Sequence, residues 1–293
     1  MARDEKTPSE RRDFLKTVGG AAIALAATAD ARGQSASGKK AAHEGTQRNP
    51  SPDLGLWITW YDLPEGGRDA YLSWLHETYL PGLLRRPGYL WAAHYKTLTS
   101  GGSPGANLHH TDDPNVPTGS QYILMIGARD TFVFGNPTPS AIHAALPEQG
   151  QKMLAMRVGE RVNLMMEAGR CDGLGTRTYK EGLRGAPCMQ IGSFNCPFED
   201  EEDMHEWYVQ VRLPVMCTVP SSVRTRKLNS VAGWAKHAIF YEFASLEGFR
   251  RDYEATNAKS PVKAGARFAV SHLIHAPNGP NSALRIWPPV PKA

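Results

Sequence analysis

Apolar runs and polar breaks alternate along the chain in an order that occurs twice. LGLWITWYDL (54–63) is dense in β-branched and aromatic residues and predicts a strand, ended by Pro64 and Gly66-Gly67. Leu72, Leu75, Tyr79, Leu80 and Leu83 then recur at helical spacing behind Asp69, a candidate cap. Pro81 is expected to kink or break that helix, because it lacks a donor and disfavours helical geometry at Leu80. Pro87-Gly88 ends it, and Tyr89 to Leu98 predicts a second strand. Residues 99–119 form a long polar loop of the kind often used for binding. Gln121 to Ala128 predicts a third strand, Pro139 to Arg157 a helix interrupted at Pro147 and Gly150, and Arg161 to Cys171 a fourth strand.

After a Gly-rich linker (172–187) the same order returns. It gives a strand at 188–196, a helix at 200–217, strands at 222–231 and 236–244, a helix at 245–257 and a strand at 266–275. The acidic run Glu199 to Asp203 suits a helix N-terminus, where the helix dipole favours negative charge. The punctuation also repeats: Trp74, Pro81 and Pro87 have the same spacing as Trp207, Pro214 and Pro220. The predicted fold class is α+β, with two tandem ferredoxin-like βαββαβ units (54–171 and 188–275) forming an α+β barrel. Each four-stranded sheet has helices on one face only, so the other faces can cover each other within the chain or in a homodimer. Residues 32–53 read as a disordered tether, and the Pro- and Asn-rich 276–293 as a surface tail.

Composition changes this picture mainly at the start. Arg11-Arg12, an uncharged apolar stretch from Val18 to Ala29 and Ala29-Asp30-Ala31 make residues 1–31 a twin-arginine signal peptide, which implies a periplasmic location. No later stretch predicts a membrane helix, so no membrane anchor is expected after signal cleavage. The net charge of +4 is mild and no basic stripe interleaves with aromatics, which argues against nucleic acid. Cys171, Cys188, Cys196 and Cys217 form no CxxC. They allow three pairings, among them a Cys171–Cys188 clip on the linker, or they serve as small buried residues.

EWYVQVRLPVMCTVPSSVRTRKL (206–228), and more loosely WLHETYLPGLLRRPGYLWAAHYK (74–96), resemble the dimeric α+β barrel superfamily in its EthD-like branch. In that branch a Trp-Tyr helix runs through a His-x-Pro step into a Pro-Gly and a strand. The resemblance implies enzymes of small, often aromatic compounds that need no cofactor. It also implies haem-binding relatives with two such units per chain. The family's His falls at Tyr79 in the first unit and Arg212 in the second. There a phenol could donate a proton and a guanidinium could hold an anion. The alternative roles are packing for Tyr79 and a solvated helix face for Arg212.

His94, in the aromatic strand YLWAAHYK, and His237, in AKHAIFYEF, are acid–base candidates, each with a structural alternative. His76 shares a helix face with Tyr79 and can support it. Trp57, Trp60 and Trp91 are expected to line an apolar pocket between sheet and helices. His272 and His275 point to opposite faces if they share a strand. His109, His110, Asp112 and Asp113 match no standard metal spacing, and Glu167 can have a raised pKa if buried. No Walker loop, GxGxxG, HExxH or GxSxG occurs. The expected function is that of an exported lyase, isomerase or oxygenase acting on an aromatic or polyketide-like small-molecule substrate. No metal and no cofactor are predicted, haem being the main alternative. A non-catalytic periplasmic ligand-binding protein is the third reading.

Overall fold

In the computed structural model, the described residues are 53–98 and 108–291, apart from Thr178, Leu183 and Glu254. The expected signal peptide, nearly all of the tether and much of the 99–119 loop lie outside them. The first unit contributes β1 (Gly55–Asp62), β2 (Tyr89–Thr97), β4 (Tyr122–Ala128) and β5 (Val158–Asp172). The second contributes β6 (Cys188–Asn195), β7 (Ser222–Ala232), β8 (His237–Phe243) and β10 (Asn281–Trp287). Two short pieces, β3 (His109–His110) and β9 (Ile274–His275), pair beside the end of β6.

Hydrogen bonding orders the long strands β10-β2-β4-β1-β5-β7-β8-β6, and β6 pairs back to β10, which closes a barrel. Each half runs fourth, first, third, second strand, as in a ferredoxin-like unit. The fourth strand of each unit pairs with the second strand of the other: β5 with β7 and β10 with β2.

Strand alternation sets three layers of core. Leu56, Ile58, Trp60, Trp91, Tyr95, Leu228 and Phe240 fill the barrel interior. Trp57, Tyr61, Leu124 and Ile126 face the helices of the first unit, and Ile239, Tyr241 and Phe243 those of the second. Gly127 is required beside Trp91, since a Cβ there would lie 2.2 Å from the indole.

The interior also holds charge. Asp53 is fully buried and accepts from Trp91 Nε1 (2.9 Å), Arg170 (2.7 Å) and Arg226 (2.8 Å). Glu167 binds Arg170, and Glu242 lies 3.5 Å from both Arg224 and Arg226. Asp53 was expected in the tether; it is instead a central counter-ion of the barrel. Glu167 is drawn into the same network, because β5 is irregular between Glu167 and Gly169 and strict alternation fails there.

Three further expectations are corrected. The strand expected at 266–275 reduces to β9, with a short 3-10 turn at Val270–His272, so His272 and His275 do not share a strand. The closing strand is β10, inside the expected tail; alternate burial of Asn281, Ala283 and Arg285 places it in the barrel despite the surrounding prolines. Cys171 is bonded to Cys217 across 5.8 Å between Cα atoms, while Cys188 and Cys196 are free thiols.

The helix at Pro81, expected to kink or break, continues without a break. Helix α1 (Arg68–Trp74) passes through a π-helical turn, Leu75–Tyr79, into α2 (Leu80–Leu84). The wider turn absorbs a proline that cannot donate. The second unit repeats the device: α5 (Glu201–Trp207), a π turn Tyr208–Arg212 and α6 (Leu213–Cys217). Between these pairs lie α3 (Pro139–Ala144) and α4 (Glu148–Leu154); α7 (Leu246–Asp252) and α8 (Ala255–Ala258) follow them. No helix among the described residues is long and apolar enough to cross a membrane.

Candidate active site

The π turn ends on Tyr79, and its side chain is buried in the layer between helix and sheet. Helix α3 is capped by Thr138, whose hydroxyl accepts from Ala141 N, and carries His143 in its last turn. The two meet, with Tyr79 Oη 2.9 Å from His143 Nε2. Beside them a cleft of about 440 Å3 opens between α1–α2 and α3–α4. Trp74, Tyr79 and Leu83 line one side, Ile142 and Leu146 the other, and half-buried Arg86 adds one cation. A mostly apolar cleft of this size with few convergent polar groups suits a small organic ligand.

Arg157 sits behind this pair, its side chain 1% exposed. Its Nε donates to Tyr71 Oη (2.6 Å), one Nη donates to Glu160 (2.6 Å), and its guanidinium lies 4.7 Å from the Tyr61 ring. The other Nη is buried without a partner in the structure. Burial raises the Tyr79 pKa, and the charge of Arg157 partly opposes that rise. Burial and then Arg157 push the His143 pKa down to about 4. At neutral pH the pair is therefore a protonated phenol beside a neutral imidazole.

A second chain of polar groups runs under α1. Tyr61 Oη is 2.8 Å from His94 Nε2, and His94 Nδ1 is 2.8 Å from His76 Nε2. His94 is fully buried, and burial, His76 and Arg157 all lower its pKa. His76 is half-buried, stacks on Trp287 with ring centres 5.8 Å apart, and has its pKa lowered to about 4 by burial.

The other expected residues are dispersed. Arg212, at the position matching Tyr79, donates to Tyr241 Oη (3.1 Å), Thr256 Oγ1 (3.0 Å) and Ser260 Oγ (3.3 Å). It is a buried tie between helices and sheet of the second unit and not a solvated face. His237 lies in the same unit, held by Asn229 (3.3 Å) and Glu201 (3.2 Å). The three tryptophans do not share a pocket, because strand alternation sends them to different faces. Trp57 packs 5.4 Å from His143, whereas Trp60 and Trp91 point into the barrel. His110 bonds the Gly279 carbonyl, and Asp113 accepts from Asn115.

The histidines available to the haem alternative differ in what their contacts leave free. Both nitrogens of His94 and of His237 are engaged, whereas His272 is held through Nδ1 alone by Asp200 at 2.6 Å, as a ligating histidine commonly is. The second-unit cleft is only about 230 Å3 and carries no histidine. His275 has unpartnered nitrogens, but it is wedged between Phe194 and His110. His94 and His237 do not fit as axial haem ligands in this arrangement.

Neutral buried histidines make stability depend on acidity. His76, His143 and His275 have folded pKa values near 4, below the ordinary 6.5. The unfolded chain therefore binds more protons between these values, and stability falls as pH drops from about 6.5 towards 4. His275, 6% exposed, contributes on the order of 3 kcal/mol at about 1.4 kcal/mol per tenfold change in proton affinity. Solvent screening reduces the other two contributions. Denaturant midpoints at pH 7 and 4.5 test this; equal midpoints contradict it.

No family model matches the chain, and no curated protein does. Among solved structures it is similar to an anthrone oxidase-like protein (11% identity, TM-score 0.48, covering 80% of this chain and 92% of that one). A candidate monooxygenase of Fusobacterium nucleatum matches at 7% identity and TM-score 0.47, covering 80% and 93%. A chlorite dismutase variant from Candidatus Nitrospira defluvii matches at 10% identity and TM-score 0.41, covering 79% and 91%.

Proposed function

We propose that this chain is an exported, periplasmic small-molecule enzyme that works in the first-unit cleft without a tightly bound cofactor. The observation that carries this reading is the Tyr79–His143 hydrogen bond beside an apolar cleft, with a buried arginine behind it. Tyr79 is a buried polar group at the cleft wall, which Thr78, Arg86 and Gln149 also line. Its hydroxyl donates a hydrogen bond, or its proton, to a ligand oxygen on which negative charge develops. The nearby charge of Arg157 favours that electron-rich state. His143 acts through Tyr79 and fixes the direction of the phenol. Isomerase, lyase and cofactor-independent oxygenase reactions of hydroxyaromatic or polyketide-like compounds all pass through such an enolate or phenolate, so the geometry supports this group of reactions together. Arg212 and His237 belong to the second unit and have no part in this site.

Cleft occupancy can be tested before any substrate is known. Gly82 lines the cleft, and a Cβ there would meet only the Arg85 guanidinium, at 3.7 Å. Gly82→Phe is expected to keep the fold and to weaken the binding of hydroxyaromatic probes at least tenfold in calorimetry. Undiminished binding in that variant would place the ligand elsewhere and remove this reading.

A further inference from the structure

The Tyr61–His94–His76 chain exceeds what packing requires. One acceptor would satisfy a buried phenol, yet two imidazoles follow in series at 2.8 Å each and lead to a half-buried position. A second path reaches the same phenol from the cleft. Tyr79 and Trp74 line the cleft with ring centres 5.2 Å apart; Trp74 lies 5.9 Å from Tyr71, and Tyr71 lies 5.8 Å from Tyr61. Three aromatic rings in near contact thus join the cleft to Tyr61, and two imidazoles join Tyr61 towards the surface. Electrons pass along the first kind of path and protons along the second.

We propose that Tyr61 is a redox-active tyrosine that supplies an electron to a one-electron oxidant formed in the cleft, such as an aryloxyl radical. The electron leaves the Tyr61 ring through Tyr71, Trp74 and Tyr79 and reduces that radical. The O–H bond of Tyr61 breaks and its proton moves to His94 Nε2. His94 gives its Nδ1 proton to His76 Nε2, and His76 releases its own Nδ1 proton to water. A neutral tyrosyl radical remains, and neither imidazole keeps a charge. This matters because burial and Arg157 both disfavour a charged His94. One electron from a reductant and one proton from water, passed back along the same imidazoles, restore the phenol. The inference uses the cleft only as the place where the oxidant forms. It does not require Tyr79 to act as an acid.

The test uses the full chain and a diffusible oxidant, photogenerated tris(bipyridine)ruthenium(III), with electron paramagnetic resonance on frozen samples. The wild type is expected to give a neutral tyrosyl signal with one strongly coupled exchangeable deuteron after transfer to heavy water, the one held between Tyr61 and His94. Tyr61→Phe should lower the tyrosyl yield at least fivefold. An unchanged yield in a folded Tyr61→Phe variant overturns the proposal. If that variant does not fold, the deuteron coupling in Tyr79→Phe decides, since His143 then has no phenol to bond: its absence there places the radical on another tyrosine and likewise overturns the proposal.

Discussion

Tyr79→Phe is expected to lower kcat about a hundredfold or more on any compound the cleft converts, the usual scale for losing a positioned proton donor. The substitution removes one oxygen and keeps the ring, so the contacts with Trp74 and the apolar wall persist. KM should change little, since the lost interaction strengthens only as negative charge develops. His143→Gln tests the supporting role separately. With the His143 pKa near 4, the wild-type rate is expected to be flat around neutral pH and to fall below about pH 4. The glutamine variant should lose rate and also lose that acid limb. A Tyr79→Phe enzyme with full kcat would remove the phenol from the chemistry.

The largest loss of stability is expected from Asp53→Ala, about 3–5 kcal/mol, the range for removing one partner of a buried ion pair. Arg226 has no exposed surface and Arg170 little, so neither can recover a counter-ion from water. Trp91 Nε1 also loses its acceptor. Denaturant unfolding measures the loss, and a change below 1 kcal/mol would show that Glu167 and Glu242 already balance the arginines. The reciprocal change, Arg226→Met, should cost less, because Arg170 still pairs with Asp53 and Arg224 still lies beside Glu242.

How much of this was legible in the chain follows from which interactions are local. Periodicity and turn residues located most of the strands, since alternation and helical spacing are properties of adjacent residues. Pro81 marked the right place with an incomplete consequence: a proline signals a missing donor, and the turn before it widens to π geometry while the helix continues. Strand β10 was hidden by composition, because its partners on β2 and β6 lie far away in sequence. Asp53 was lost for the same reason, since nothing near it shows that Arg170 and Arg226 converge there. At the site, Tyr79, His76 and His94 were visible as polar residues in apolar segments. Tyr61, Tyr71, His143 and Arg157 were not singled out; each looks ordinary within its own segment. Only the fold brings them together. The one available signal was the placement of His143 next to Ile142 in a helix whose apolar face meets the sheet.

The closure of the barrel by β10 also constrains how the chain is made. Ala283 pairs with Thr97, so the last seam joins segments separated by most of the described sequence. Contacts of such long range slow folding, because chain entropy is lost well before the contact forms. Until Trp287 has left the ribosome, the edges of β2 and β6 that will meet β10 carry unpaired backbone groups. Each is a template for a strand from another nascent chain. Production at high concentration should therefore favour interlocked dimers in which β10 is exchanged, and slower synthesis should favour the self-closed monomer.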